Sequence, residues 1–528
     1  MKILIVGGGS SGWLVASGLI RYFPNYDITL IESPTIPTIG VGESTTAFVK
    51  HFIKNCLKIN EYDFLKKTNG IYKMSIKFKN FSKLKDNGYH YPFGMPYTEN
   101  FNDFYIAAWD IVKNFNKNIK SEDFVKFMYP AYSLFSKNKI NENLNEEFDN
   151  FNFNTDLGYH FDANKVGEYL KTNYCIPKGV NHIYNNVKSV VFLNEEIEYL
   201  VLENDEKIYA DLFIDCSGFK SILLGQKIKP KFINISHKLI NNKAWAVPIQ
   251  YKDIKKQMQP YTTGTAIENG WCWYTPIASR IGNGYAYSDK FVNSEKALNE
   301  FKNYLYNSEN YSLSKEEINQ LPFFEINMKS GYYEESMVKN VVGIGMSSGF
   351  LEPLEGTGIH FIIEEIKALC KIIELGKPNQ FLIDSFNLKI KNLYETWTDT
   401  LTFLYISSRR NDTEYWKHIN TLKTINLNLK NQNHFHDVSD YGYRIFDWTH
   451  HNFVNDLFNH SLRGSSLVNN FNEFDVDIFS MYNNKFINLE KLSKEYFNIF
   501  IKNKRKWDIN SNNSLHIYNF LLEKNAIR

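Results

Sequence analysis

The chain has almost no excess of charge. Its 60 basic and 58 acidic residues leave a formal net charge of +2. That removes the electrostatic case for a nucleic-acid or acidic-membrane partner. Cysteine is scarce as well. The five cysteines, Cys56, Cys175, Cys216, Cys272 and Cys370, are odd in number and contain no C-x-x-C pair. A disulfide framework and a structural zinc site are therefore not expected, and a reducing cytoplasm fits. No apolar run approaches the roughly 18 residues that a bilayer span needs. The N-terminus has one lysine before a short apolar run that ends in glycines, which reads as a strand and a turn rather than a signal peptide. His450 and His451 lack the companion ligands a metal would need, so no metal is expected.

What is present is a long chain with an ordinary apolar share. Its 528 residues, 43% of them hydrophobic, can bury one large core or two fused ones. Aromatic residues make up 16%, including 41 Phe and 34 Tyr, which makes aromatic-lined pockets easy to build. Residues 3–6 read as a buried strand, 12–22 as a helix and 28–31 as a second strand, a βαβ opening. Residues 71–81 alternate, with Met74, Ile76 and Phe78 on one face and Lys73, Ser75, Lys77 and Lys79 on the other, the pattern of one half-buried strand. Residues 137–154 are polar and read as an exposed loop. Residues 245–250, 271–277 and 284–288 read as strands of a second sheet. A helix over 359–375 stops at Gly376, and helical patterns dominate from about 380 onward.

Gly7, Gly9 and Gly12 form G-x-G-x-x-G between the first strand and its helix. This spacing permits a tight turn, close approach of backbone to a pyrophosphate, and an open helix N-terminus facing the anion. Glu32 follows 20 residues after Gly12, where a carboxylate can accept ribose hydroxyls. Two further strand ends, at Asp215 to Gly218 and at Gly345, point to the same ligand. Three converging strand ends indicate FAD. No second glycine motif with a downstream acid is present for NADPH, so the electrons must arrive another way.

The nucleotide signals recur at residues 7, 40, 215 and 345. The expected fold is therefore α/β: a discontinuous FAD-binding, Rossmann-like three-layer domain over about 1–70, 155–225 and 335–380. A substrate-side sheet is inserted at about 71–154 and 226–334, and a mainly helical region covers 381–528.

Five motifs together resemble the flavin-dependent tryptophan-halogenase family. They are Gly7-Gly-Gly-Ser-Ser-Gly-Trp13, Gly40-Val-Gly-Glu-Ser-Thr45, Asp215-Cys-Ser-Gly-Phe219, Trp271-Cys-Trp-Tyr-Thr-Pro276 and Gly349-Phe-Leu-Glu-Pro-Leu-Glu-Gly-Thr-Gly-Ile359. They fall in family order over about residues 1–416. Thr275 replaces an Ile of the W-x-W-x-I-P signature. Gly356 replaces the Ser that tryptophan halogenases carry beside the active-site Glu, which bears on whether tryptophan itself is the substrate.

The resemblance implies an enzyme that uses reduced FAD, oxygen and a halide (chloride, bromide or iodide) to make hypohalous acid. The oxidant then passes through a tunnel to a lysine beside an indole, phenol or other electron-rich aromatic. Ile76-Lys77-Phe78 matches the family's I-K-F, which makes Lys77 the expected lysine, with Lys79 in reserve. Glu355 is the expected carboxylate, in preference to Glu352. FAD contacts are expected from Gly7, Gly9, Ser10, Gly12, Trp13, Glu32, Gly40, Val41, Glu43, Ser44, Asp215, Gly218, Gly345 and Leu354. The halide is expected at Thr357 and Gly358, a barrier at Trp271, Trp273 and Pro276, and substrate contacts at Tyr91 and Phe93. Tyr441, Tyr443, Phe446, Trp448 and Phe453 either close the pocket or belong to the core. A separate flavin reductase and a homo-oligomer are also expected. The competing reading is a flavin-dependent aromatic monooxygenase, which needs no lysine–carboxylate pair.

Overall fold

A computed structural model describes residues 1–422 and 489–527, apart from 36–41, 83, 86–87, 95, 98–107, 110–111, 113–114, 117, 120–122, 143–147, 150, 407 and 409. The aromatic group at 441–453, with His450 and His451, lies outside these residues, as do Gly40 and Val41.

The nucleotide-binding sheet has six strands, in the order Met337–Val338, Val341–Gly343, Leu212–Asp215, Lys2–Val6, Asp27–Glu32, Asn181–Tyr184. All neighbours are parallel except the first pair. Alternation along Lys2–Val6 explains the layers. Ile3 and Ile5 face the core shared with the helices Ser10–Tyr22 and Gly358–Ile373. Leu4 and Val6 face a second core, shared with Ile197, Leu200 and Leu202 of a three-stranded sheet. The result is a three-layer α/β fold with strands drawn from distant parts of the sequence.

The second large sheet has seven strands, including Lys243–Ile249, Gly270–Pro276 and Ile281–Tyr287 as the sequence pattern predicts. A third, small sheet joins Glu43–Ser44, Gly158–Phe161 and Ile71–Lys73. Here the structure departs from expectation. Residues 71–79 are two strands in two sheets, not one. Ile71–Lys73 pairs with Gly158–Phe161, while Ser75–Lys79 pairs with Tyr261–Ile267 and Tyr89–Pro92. Met74 is the crossing point, its N–H donating to the Pro260 carbonyl and its own carbonyl accepting from Phe93 N–H. The polar-face reading fails at this crossing. Lys73 is fully buried, whereas Lys77 and Lys79 are half-buried.

The 137–154 segment also differs from an exposed loop. Ile140, Phe148, Phe151 and Phe153 are buried, and the Phe153 carbonyl accepts from the buried Lys50 ammonium. Beyond residue 380 the described elements are chiefly helices, led by Gln380–Ile406 and Leu489–Asn512.

Candidate active site

The glycine-rich turn has the shape a dinucleotide needs. Gly7 sits at φ +121°, and a Cβ on Gly12 would lie 1.9 Å from the Gly7 carbonyl oxygen. Only glycine permits that approach of helix to strand. Gly9 is the helix N-cap and offers no side-chain cap, so the first helical N–H groups face outward for an anion. Glu32 ends its strand with its side chain over Gly8. Its carboxylate lies 3.1 Å from Lys171 Nζ and 2.9 Å from His182 Nε2, two partners the sequence reading missed.

Trp13 is buried at the side of this cluster, its ring 5.4 Å from that of His182. Ser10 is tied to the Ala163 carbonyl. Asp215 turns its carboxylate into the chain. Its carboxylate accepts from Ser217 N–H and Oγ–H and from the N–H groups of Leu223 and Leu224. It therefore shapes the 217–224 loop, with all four of these donors inside the chain. Gly218 and Gly345 both adopt positive φ, and Gly345 N–H donates to the buried Glu365. Leu354 is buried.

The loop from Gly349 to Gly358 carries the next groups. Burial raises the Glu352 carboxyl to about 7, against hydrogen bonds from Tyr405 and Asn241. Glu352 is thus held by its own neighbours. Glu355, three residues on, is the carboxylate that acts on Lys73. Burial lowers the Lys73 ammonium to about 7, and the charge of Glu355 opposes that fall. Lys73 Nζ also donates to the Thr45 carbonyl at 3.1 Å and stands 4.8 Å from the centre of the Phe93 ring. Tyr91 packs edge-on against Phe93. Lys77 instead lies across the strand pair from His90, whose own Nδ1 is bonded to Ser75. The structure brings Lys73, Glu355 and Phe93 together, with Lys77 on the next strand opposite His90.

Thr357 and Gly358 open a 16-residue helix with no side-chain cap. Thr357 is therefore not an N-cap in the hydrogen-bonding sense, and none of the described residues lies within 4 Å of where a Gly358 Cβ would stand. Uncapped N–H groups beside open space are suited to a small anion. Trp271 and Trp273 share one face of their strand, with ring centres 5.9 Å apart, while Cys272 and Tyr274 pack into a separate core on the other face. Pro276 ends that strand.

Ser44 lies in the small sheet beside Gly356, and burial raises the Glu43 carboxyl to about 7. Gly356 has φ +64°, and a Cβ there would meet the Ser44 carbonyl oxygen at 2.2 Å. Gly356→Ser, which would restore the residue of the tryptophan-halogenase motif, is therefore expected to push Ser44 away. A residue strained at positive φ costs about 1–3 kcal/mol. The variant should melt several degrees lower by calorimetry and lose at least tenfold in turnover.

The tryptophan halogenase family model matches residues 2–469. The tryptophan 6-halogenase SttH of Streptomyces toxytricini is 31% identical over 441 residues, covering 80% of this chain and 81% of its own, and its crystal structure superposes with a TM-score of 0.71. The tryptophan 7-halogenase RebH of Lentzea aerocolonigenes is 31% identical over 79% of this chain and 78% of its own. The apo structure of VirX1 is 31% identical with a TM-score of 0.82, covering 99% of this chain and 98% of that one. The fold, the ordered motifs and these matches agree that the chain belongs to the tryptophan halogenase family of flavin-dependent halogenases, enzymes that draw reduced flavin from a separate reductase.

Proposed function

We propose that the chain halogenates an electron-rich aromatic ring of the indole class, with Lys73 rather than Lys77 as the residue that presents the electrophile. One observation carries the reading: a fully buried lysine, shifted to about 7, with Glu355 acting on it and the face of Phe93 beside it. An ordinary lysine is an ammonium at neutral pH and has no lone pair to offer. Lys73 is neutral in a large fraction of molecules at pH 7.

FAD fits the glycine turn, Glu32, the Gly345 strand end and the uncapped helix at Ser10. When bound and reduced, it supplies the electrons that let oxygen and halide yield hypohalous acid. The chain's own groups then have distinct tasks. Thr357 and Gly358 hold the halide at the open helix start. Trp271 and Trp273 wall the flavin side from the aromatic substrate. Phe93 and Tyr91 stack against the substrate ring. The Lys73 amine attacks the halogen of hypohalous acid; hydroxide leaves and takes the amine proton as water. The ring then attacks the halogen, the N–X pair returns to nitrogen, and Glu355 takes the ring proton and hands it to that nitrogen, so that the neutral amine and the carboxylate are both restored. Glu355 lies three residues before Gly358, the first residue of its helix, so the carboxylate and the halide site belong to one continuous segment.

The test uses the purified chain with a flavin reductase, NADH, FAD, each halide in turn and a panel of indoles and phenols. The expected product gains the mass of one halogen less one hydrogen, and the mass follows the halide supplied. A product carrying one extra oxygen regardless of halide would establish the monooxygenase reading instead.

A further inference from the structure

His160 is fully buried and has no part in the chemistry above. Its Nε2 lies 2.8 Å from Thr262 Oγ1, and Thr262 Oγ1 lies 2.7 Å from Ser44 Oγ. Its Nδ1 has no hydrogen-bond partner among the described residues, and the Pro276 backbone also acts on the ring. The ring therefore links three segments: Ser44 of the small sheet, Thr262 of the large sheet and the end of the Trp271–Trp273 strand.

The same small sheet fixes Lys73. Ser44 pairs with His160, Ile71 pairs with His160 from the other side, and Lys73 lies opposite Gly158. Thr45 exchanges three hydrogen bonds with Tyr159, between its N–H and Oγ1 and the Tyr159 carbonyl and N–H. Its own carbonyl is thereby turned to Lys73 Nζ. A Cβ at Gly158 would meet that carbonyl at 2.6 Å and the Phe93 ring at 3.1 Å. Glycine here lets carbonyl, ring and lysine converge.

We infer that His160 is a positioning residue: through Thr262 and Ser44 it clamps the 43–45 segment so that the Thr45 carbonyl holds the Lys73 amine in line for the electrophile. The inference rests on the Lys73 reading above. With its proton on Nδ1, the ring leaves Nε2 to accept from Thr262, which in turn accepts from Ser44. Burial, and then the nearby Lys73 charge, keep the imidazole neutral. A neutral ring preserves the acceptor at Nε2, whereas an imidazolium would reverse the chain. Glu43 is the one carboxylate on the strands of the small sheet, and the groups that act on the ring are the Thr262 hydroxyl, the Lys73 charge and the Pro276 backbone.

The decisive variants are Thr262→Val, which removes the middle hydroxyl at constant shape, and His160→Phe. Thr262→Ser is the conservative control. Two readouts are needed. In the flavin-free protein, amide exchange of residues 42–50 should accelerate at least tenfold in Thr262→Val and His160→Phe but not in Thr262→Ser, with exchange of Lys2–Val6 unchanged. In the full assay, oxidised halogen should escape to a scavenger such as monochlorodimedone while product per flavin turnover falls at least tenfold, with KM for the aromatic substrate within twofold. Unchanged exchange at 42–50, or a parallel loss of flavin oxidation and product, overturns the inference. If His160→Phe does not fold, Thr262→Val alone decides. Lys73→Ala runs alongside: if it still halogenates, the lysine reading has failed, and the exchange result still judges the clamp.

Discussion

Replacing Lys73 by methionine is expected to abolish halogenation, by at least a thousandfold in turnover, while making the protein more stable. Both effects come from the same burial. In the fold Lys73 holds its proton only up to about pH 7, against 10.5 for an ordinary lysine. Between those values the unfolded chain binds a proton that the folded chain does not, so stability rises with pH across that window. Below about pH 7 both states are protonated and the full cost of burying the ammonium is present, roughly 5 kcal/mol for a difference of this size. Methionine fills a similar space without charge. Lys73→Met should therefore raise the unfolding free energy by about 2 kcal/mol or more at pH 6, and the gain should shrink toward pH 10. Urea titrations at the two pH values check it. Lys77→Met should stay within threefold of the parent in turnover and close to it in stability, because Lys77 is half-buried beside His90. A Lys73→Met protein that retains a tenth of the activity would end the assignment.

The Lys73–Lys77 difference shows where the sequence is legible and where it is not. Features that depend on spacing along one element can be read directly. The glycine turn, Glu32, the parallel strands and the paired tryptophans all follow from local pattern, because period-two alternation and a helix start are properties of neighbouring residues. Lys73 depends on a crossing between sheets. Period two places residues 73 and 77 on one face only while the strand stays in one sheet, and Met74 ends that condition. A buried ammonium leaves no mark in the alternation. Gly158 makes room for the crowded site directly across from Lys73, and it takes pairing across the small sheet to see it. Asp215 shows the same limit in reverse: the strand end was legible, but the direction of its carboxylate, inward to Leu223 and Leu224, depends on a loop that folds back. His160, Lys171 and His182 act through partners more than 100 residues away in sequence, and no short motif encodes them.

Glu355→Gln is expected to lower turnover by about a hundredfold to ten-thousandfold, the range over which a positioned general base contributes. It should also move the pH profile, in a direction fixed by Lys73. If the reaction needs the neutral amine, turnover rises with pH through about 7 in the parent protein. The Glu355 carboxylate holds the lysine proton more tightly, so it keeps that rise higher on the pH scale than burial alone would. Glutamine has the same shape without the charge. Its substitution should shift the rise to lower pH even as the plateau falls. A purely structural role predicts something else. Glu355 precedes the helix that begins at Gly358, and an acid near a helix start contributes only about 0.3–1 kcal/mol to stability through the helix dipole. In that case Glu355→Gln would melt slightly lower, keep most of its turnover and leave the rise near pH 7 in place. The position of the rise separates the two roles even if some turnover is lost through misfolding, because misfolding lowers the plateau without moving a proton affinity.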